Sequence, residues 1–224
     1  MDLNGYIIAF DLDGTLVDTA PDIIGALNLV LREEEIKPYH LDEARPLIGR
    51  GALELLRRGF ALAGHPLTPE QEQPLLDRLL KHYETHIDAF SRPFDGVVDA
   101  LDTLSAAGAK LAVCTNKHTY LSVELLKRLG LHDRFGSIRG ADSVPNKKPD
   151  AGHLQACVDD IGGDITKTIL VGDSETDFMT SRNAGVPSIL VSFGYSERPI
   201  QELDCDVLID HYDALIEAIK TVIK

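Results

Sequence analysis

Two carboxylates one residue apart, Asp11 and Asp13, close the apolar run Tyr6-Ile7-Ile8-Ala9-Phe10 and are followed at once by Gly14. A run this short and this rich in β-formers reads as a buried strand, which puts the acids at its carboxyl end. Asp and Gly are common turn formers, so a solvated turn is the plain alternative. Ligand sites of open α/β sheets, however, lie just beyond the carboxyl ends of strands, and two acids placed there repel unless a cation or a shared proton relieves them. A metal site is therefore favoured over a turn. Counted from Asp11, the fifth position of a calcium loop would be Thr15 and the twelfth Asp22, which excludes an EF-hand. Mg²⁺, usually held by one or two carboxylates, water and substrate phosphate, fits better.

Three further stretches carry similar chemistry. Ile169-Leu170-Val171-Gly172 leads into Asp173-Ser174-Glu175-Thr176-Asp177, again an apolar run ending in glycine and acids, and Phe178 at the glycine position rules out a calcium loop there too. Leu111-Ala112-Val113-Cys114 ends in Thr115-Asn116-Lys117 where the chain turns into a helix beginning near His118. Helix capping accounts for Thr115 or Asn116 taken singly, while a helix start is also an anion site. Lys147-Lys148 precedes Pro149, which is expected to open a helix; a lysine pair is commonly a solvated basic patch.

Asp11-Leu12-Asp13-Gly14-Thr15-Leu16 resembles the first motif of the haloacid dehalogenase superfamily. That resemblance implies that Asp11 attacks phosphorus and that Asp13 acts as acid and base. Thr115 then matches the second motif, whose hydroxyl binds the phosphoryl group, with Asn116 beside it. Lys148 matches the lysine that pairs with the nucleophile and the bound phosphate, although Ala151 stands where the superfamily often has a second proline. Gly172-Asp173 to Asp177 matches the G-D-x-x-x-D motif. The implied Mg²⁺ ligands are the Asp11 side chain, the Asp13 backbone carbonyl and Asp173, with Asp177 mainly supporting them. Dehalogenases of this superfamily lack the second aspartate and its transport ATPases carry threonine there, so Asp13 points to phosphoryl transfer. Within the superfamily the likeness is to the phosphoglycolate phosphatases, through Ile48-Gly49-Arg50-Gly51-Ala52 and Cys114-Thr115-Asn116-Lys117. A pyrophosphatase or a sugar-phosphate mutase resembling β-phosphoglucomutase is the alternative on the same scaffold, and a non-catalytic binding protein is a remote one.

The elements that must position these groups follow from periodicity. Residues 20 to about 90 are helical in pattern, with Ile23, Ile24, Leu27, Val30 and Leu31 recurring on one face and breaks at Lys37-Pro38, Arg45-Pro46, Gly64-His65-Pro66 and Thr68-Pro69. Thr19 is expected to cap the first of these helices, with Asp22 completing a capping box. From Ser91 onward helices alternate with short strands at Lys110 to Cys114, Gly136 to Gly140, Lys167 to Gly172, Pro187 to Ser192 and Asp206 to Ile209. This alternation predicts an α/β fold, a Rossmann-like doubly wound parallel sheet with an inserted helical bundle, and the resemblance implies that the bundle is the superfamily's α-helical cap. The catalytic core is expected over residues 1–18 and 92–224 and the cap over 19–91, opening and closing across the site. Gly14 is expected to take a backbone conformation closed to other residues, and Thr15 to orient Asp13.

Substrate selection falls to residues outside the four motifs. Arg50, between two glycines, is either a residue reaching the cleft or an exposed loop residue, whereas Arg57 and Arg58 read as solvent-facing. Lys117 and His118 lie near enough to the second motif to meet a substrate carboxylate. His65, His82 and His86 form no ligand constellation.

Composition narrows the partners. Among 224 residues, Lys plus Arg minus Asp plus Glu is 22 − 36 = −14, a field that repels nucleic acid and anionic membranes. No stretch approaches the ~20 apolar residues of a membrane span, and the N-terminus has no secretory pattern, so a cytoplasmic protein is expected. The partner expected is a small phosphorylated metabolite, bound by a monomer or homodimer. Cys114, Cys157 and Cys205 form no C-x-x-C pair and read as reduced thiols. By resemblance, a cysteine-nucleophile phosphatase needs an arginine six residues after the cysteine; Tyr120, Gly163 and His211 occupy those positions, excluding that chemistry.

Overall fold

The first four strand residues are buried on both faces, and in the computed structural model, which describes residues 1–223, they form β1 (Ile7–Phe10). The chain turns through the acidic loop into β2 (Val17–Asp18), then runs through α1 (Ala20–Glu33), α2 (Leu41–Ala44), α3 (Ala52–Leu62) and α4 (Pro69–Thr85). It returns along β2 as the antiparallel strand β3 (Arg92–Pro93). Alternation follows as expected: α5 (Val97–Ala106), β4 (Lys110–Cys114), α6 (Thr119–Arg128), β5 (Ser137–Arg139), α7 (Ala151–Asp160), β6 (Thr168–Gly172), α8 (Glu175–Ala184), β7 (Ser188–Val191), β8 (Val207–Ile209) and α9 (Leu215–Val222).

The sheet has the order β5-β4-β1-β6-β7-β8 with every pair parallel. From β1 the chain builds outward on one side through β4 and β5, then crosses back to build β6, β7 and β8 on the other. The order therefore reverses beside β1, and a crevice is left at the carboxyl ends of β4, β1 and β6. Side chains alternate between two apolar layers. Ile8, Phe10, Val113 and Val171 face the layer containing Leu101, Leu125 and Ile219, while Ile7, Ala9, Ala112 and Leu170 face Leu154 and Val158 of α7. Burial on both faces is why these strands read as continuous apolar runs. The α/β Rossmann-like class expected from the sequence is the one observed.

The first apolar layer continues through Leu12, Leu16, Val17 and Ala20 into the helices between β2 and β3, where Leu27, Leu56 and Leu79 are buried. Two local expectations are corrected here. Thr19 stands at the N-cap of α1 but makes no side-chain cap; its hydroxyl donates to Asp13 Oδ1 at 2.8 Å. Asp22 does not complete a capping box, because its carboxylate accepts from Phe90 N, Ser91 N and Ser91 Oγ at 2.7–3.1 Å. It thereby ties the start of α1 to the returning chain. Similarly, the helix after Lys148 begins at Ala151, two residues beyond Pro149, with Asp150 accepting from Gly152 N. Among the described residues no helix is long and apolar enough to cross a membrane.

Replacing Asp22 by Ala strands three buried or half-buried donors, each worth about 1–3 kcal/mol when unsatisfied. Asp22→Ala should therefore lower stability by about 2–3 kcal/mol in urea unfolding, with Asp22→Asn losing less; an unchanged midpoint would contradict this role for the carboxylate.

Candidate active site

β1, β4 and β6 deliver Asp11, Thr115 and Asp173 to the same crevice, all three essentially buried. Lys148 joins them from the loop before α7. Its ammonium lies 3.0 Å from Asp11 Oδ1 and 2.6 Å from Asp177 Oδ1, and the whole residue is 2% exposed. The lysine backbone is pinned on both sides: its N–H donates to His153 Nδ1 at 3.1 Å, and its carbonyl accepts from Asn116 Nδ2 at 3.2 Å. The other imidazole nitrogen of His153 lies 3.2 Å from the Arg139 carbonyl, so the ring bridges β5 and the lysine loop.

Asp177 serves two purposes at once. Oδ1 takes Lys148, while Oδ2 accepts from Ser174 Oγ at 2.6 Å and from the N–H groups of Ser174 and Asp173, capping α8. Asp173 is held from the opposite side by Thr15 Oγ1 at 2.9 Å and Tyr195 N at 2.7 Å. Thr15 thus orients Asp173 and not Asp13, a correction that follows from the loop turning back toward β6. Gly14 has φ +85°, and a Cβ there would meet Asp173 Oδ2 at 2.4 Å, so only glycine lets the loop pass this close.

Asp11, Asp173 and Asp177 offer oxygens all within 4.8 Å of one another. Burial pushes the Asp11 carboxyl up to about 6, against the pull of Lys148 and helped by the negative charges of Asp177 and Asp13. Burial and the same crowding push Asp173 well above the ordinary carboxylate value. Burial alone would depress Lys148, but Asp11 and Asp177 outweigh it and keep its ammonium charged. Three buried acids against one buried cation leave an excess of negative charge, which a divalent cation complements. Among the described residues no donor is aimed at Asp11 Oδ2; Oδ1 takes both Leu12 N, at 2.7 Å, and Lys148. One carboxylate oxygen is therefore held, and the other carries no hydrogen bond from the described residues.

The Asp13 side chain is not part of this trio. It accepts from Thr19 Oγ1 and, through both oxygens, from Lys117 Nζ at 2.8 and 3.1 Å. Only its backbone carbonyl, the atom the resemblance implies, remains for a metal. Lys117 is correspondingly not free in this structure: it is buried, paired with Asp13, and lies 4.3 Å over the ring of Tyr83. Arg50 is also engaged elsewhere. Its guanidinium is 3.0 Å from Glu197, which also takes Arg58 at 2.9 Å, whereas the neighbouring Gly49 and Gly51 line the cavity. Arg58 is accordingly half-buried and not solvent-facing, and Arg57 pairs with Glu72 at 2.7 Å.

A cavity of about 60 Å³ connects these groups, with Asp11, Asp13, Thr115, Asn116 and Lys117 on one side and apolar residues of α1, α3 and α4 on the other. Two buried oxygens in its wall, Tyr83 Oη and Asn116 Oδ1, have no hydrogen-bond partner among the described residues. Thr19, Tyr83, His153 and Tyr195 are the contributors that motif reading did not find. Tyr195 Oη accepts from Thr19 N and Ala20 N and donates to Asp18 Oδ1 at 2.5 Å, while its N–H holds Asp173. No spacing in the sequence announces a bond across that distance.

The sequence model of the haloacid dehalogenase-like hydrolases matches residues 8–191, most of the chain and all four motifs. The chain belongs to this family. Relatives of this haloacid dehalogenase-like hydrolase include a phosphoglycolate phosphatase of Caulobacter vibrioides, 51% identical over 94% of this chain and 89% of that protein. A phosphoglycolate phosphatase of Agrobacterium fabrum is 44% identical over 94% and 90%. In structure, the hydrolase is similar to a predicted phosphoglycolate phosphatase from Haemophilus somnus, with a TM-score of 0.90, 27% identity, and coverage of 98% and 99% of the two chains. It is a phosphoric monoester hydrolase, as the second aspartate led one to expect.

Metal-free protein should take up a proton at Asp11 near pH 6. Because the folded value, about 6, lies above the ordinary 3.8, the contribution of Asp11 to stability is full below 3.8 and is lost as pH rises through about 6. Metal-free enzyme should therefore lose thermal stability across that window, and Asp11→Asn should flatten part of the decline. A decline equally steep in the variant would assign it to other groups.

Proposed function

We propose that this enzyme hydrolyses 2-phosphoglycolate, using Mg²⁺ and an aspartyl phosphate formed on Asp11. The observation that carries the chemistry is the buried convergence of Asp11, Asp173 and Asp177 on Lys148 beside Thr115. The substrate is supported by the relatives named phosphoglycolate phosphatase.

The Asp11 and Asp173 side chains and the Asp13 carbonyl would hold Mg²⁺, with Asp177 behind them because its Oδ2 already takes three donors and its Oδ1 the Lys148 ammonium, where each Asp173 oxygen takes one neutral donor. When bound, the ion offsets the charge of the phosphate so that a carboxylate can approach it. Lys148 holds Asp11 and a phosphoryl oxygen, and the Thr115 hydroxyl and the Asp13 N–H take the others, the N–H groups of Leu12 and Gly14 being engaged by Asp11 and Val17. Asp11 attacks phosphorus, the bond from phosphorus to the leaving oxygen breaks, and Asp13, which must be protonated and so released from the Lys117 pairing at that point, gives its proton to that oxygen. Asp13 then takes a proton from water as the water oxygen bonds to phosphorus. The bond from phosphorus to Asp11 breaks, releasing phosphate and restoring the carboxylate.

Residues 19–91 act as a cap on a core formed by residues 1–18 and 92–224, hinged at the β2–β3 ribbon. Supporting this reading, Arg45 pairs with Asp18 at 3.3 Å, and Arg50 and Arg58 meet Glu197, so charged contacts bridge the two parts where they would separate. Closure would exclude water during attack on phosphorus.

Asp11→Asn should abolish turnover with the circular dichroism spectrum unchanged, and chelation with EDTA should stop the native enzyme until Mg²⁺ is restored. Residual turnover in the washed variant would remove Asp11 as nucleophile. Separately, kcat/KM for 2-phosphoglycolate should exceed that for pyrophosphate and hexose phosphates by at least roughly tenfold, about 1.4 kcal/mol of transition-state binding. The opposite preference would replace the phosphoglycolate reading with the pyrophosphatase or mutase one.

A further inference from the structure

α4 turns Tyr83 inward, where it is 5% exposed and lines the same cavity as Asp11, Asp13 and Thr115. Buried tyrosine hydroxyls ordinarily find a partner, yet Tyr83 Oη makes no hydrogen bond to any described residue. The Lys117 ammonium lies 4.3 Å over the same ring and directs N–H groups at both oxygens of Asp13, leaving a further N–H among its three. Burial, and then the carboxylates of Asp13, Asp22 and Asp88, push the Tyr83 ionisation well above the ordinary tyrosine value, so the phenol remains a donor. Two donors, one of them cationic, therefore stand side by side next to the group that protonates the leaving oxygen. Ile23, Leu55, Leu79 and Leu121 make the apolar part of the cavity wall around them, and Thr115, Asn116 and His118 are its other polar side chains besides the aspartates. Asn116 Oδ1, the other buried oxygen without a partner, is an acceptor and does not contribute to holding an anion.

We propose that the Tyr83 hydroxyl and the Lys117 ammonium form the subsite for the carboxylate of the leaving group, making Tyr83 the residue that selects short phosphomonoesters ending in an acid. The inference rests on the phosphoglycolate reading and deepens it: of the two cations expected to meet a substrate carboxylate, Arg50 and Lys117, it is Lys117 that lines the cavity, and the second donor comes from α4.

The test compares 2-phosphoglycolate with ethyl phosphate, which has the same two-carbon length without the carboxylate, in native enzyme and in Tyr83→Phe. Phenylalanine keeps the ring against Lys117 and removes only the hydroxyl. The loss of kcat/KM for 2-phosphoglycolate should exceed the loss for ethyl phosphate by roughly tenfold, mostly through KM, as expected for a hydrogen bond to a charged group. In the Asp11→Asn background, calorimetric binding of 2-phosphoglycolate should weaken by a similar factor when Tyr83→Phe is added. Equal losses for both esters would make Tyr83 a packing residue and overturn the proposal, as would no loss. If native enzyme itself fails to prefer 2-phosphoglycolate over ethyl phosphate, both this subsite and the phosphoglycolate reading fall. If that preference is present but survives Tyr83→Phe intact, only the subsite falls.

Discussion

The buried ammonium of Lys148, set between Asp11 and Asp177, is the interaction around which the rest of the crevice is arranged. A lysine taken out of water is costly unless carboxylates receive it, and removing the lysine would leave the buried carboxylates of Asp11 and Asp177 without their cation. The fold meets this demand from several directions. β1 brings Asp11, α8 brings Asp177 in its first turn, and Asn116 and His153 grip the lysine backbone. Asp177 also caps α8 through Ser174, so the charge balance of the crevice and the start of that helix depend on the same carboxylate.

A second layer of bonds couples the crevice to the chain crossing between the sheet and the helices. Tyr195 holds Asp173 with its N–H and reaches the β2–α1 junction with its hydroxyl. Thr19, at that junction, donates to Asp13, and Asp22 one turn later binds the returning chain at Ser91, just before β3. Any movement of α1 relative to the sheet would thus be felt at Asp13 and Asp173 through single hydrogen bonds. The glycine-bounded Arg50 and the half-buried Arg58 add an ion-pair contact to Glu197 on the loop that carries Tyr195.

Much of this was written locally in the chain. Strands buried on both faces must be continuous apolar runs, so β1, β4 and β6 are visible as such, and polar residues stand out at their ends. The reversal of strand order beside β1 then makes those ends neighbours. Asp11, Thr115 and Asp173 were accordingly legible as polar groups at strand ends, whereas the resemblance to the superfamily was what implied that Lys148 and Asp177 join them; Gly14 was legible as a position that tolerates no side chain.

The tertiary structure alone decided which partner each side chain takes. Thr15 and Thr19 lie within a few residues of Asp13, yet Thr15 bonds Asp173 and only Thr19 bonds Asp13, because the loop's path sets where each hydroxyl points. Lys117 follows directly after two residues of the second motif, yet it is paired with Asp13 and lies over Tyr83, and Arg50 is paired with Glu197. Periodicity records burial and local conformation, which depend on neighbours a few residues away. Pairings such as Lys117 with Asp13 or Tyr195 with Asp18 join residues more than a hundred positions apart, and they exist only once the sheet has closed the distance.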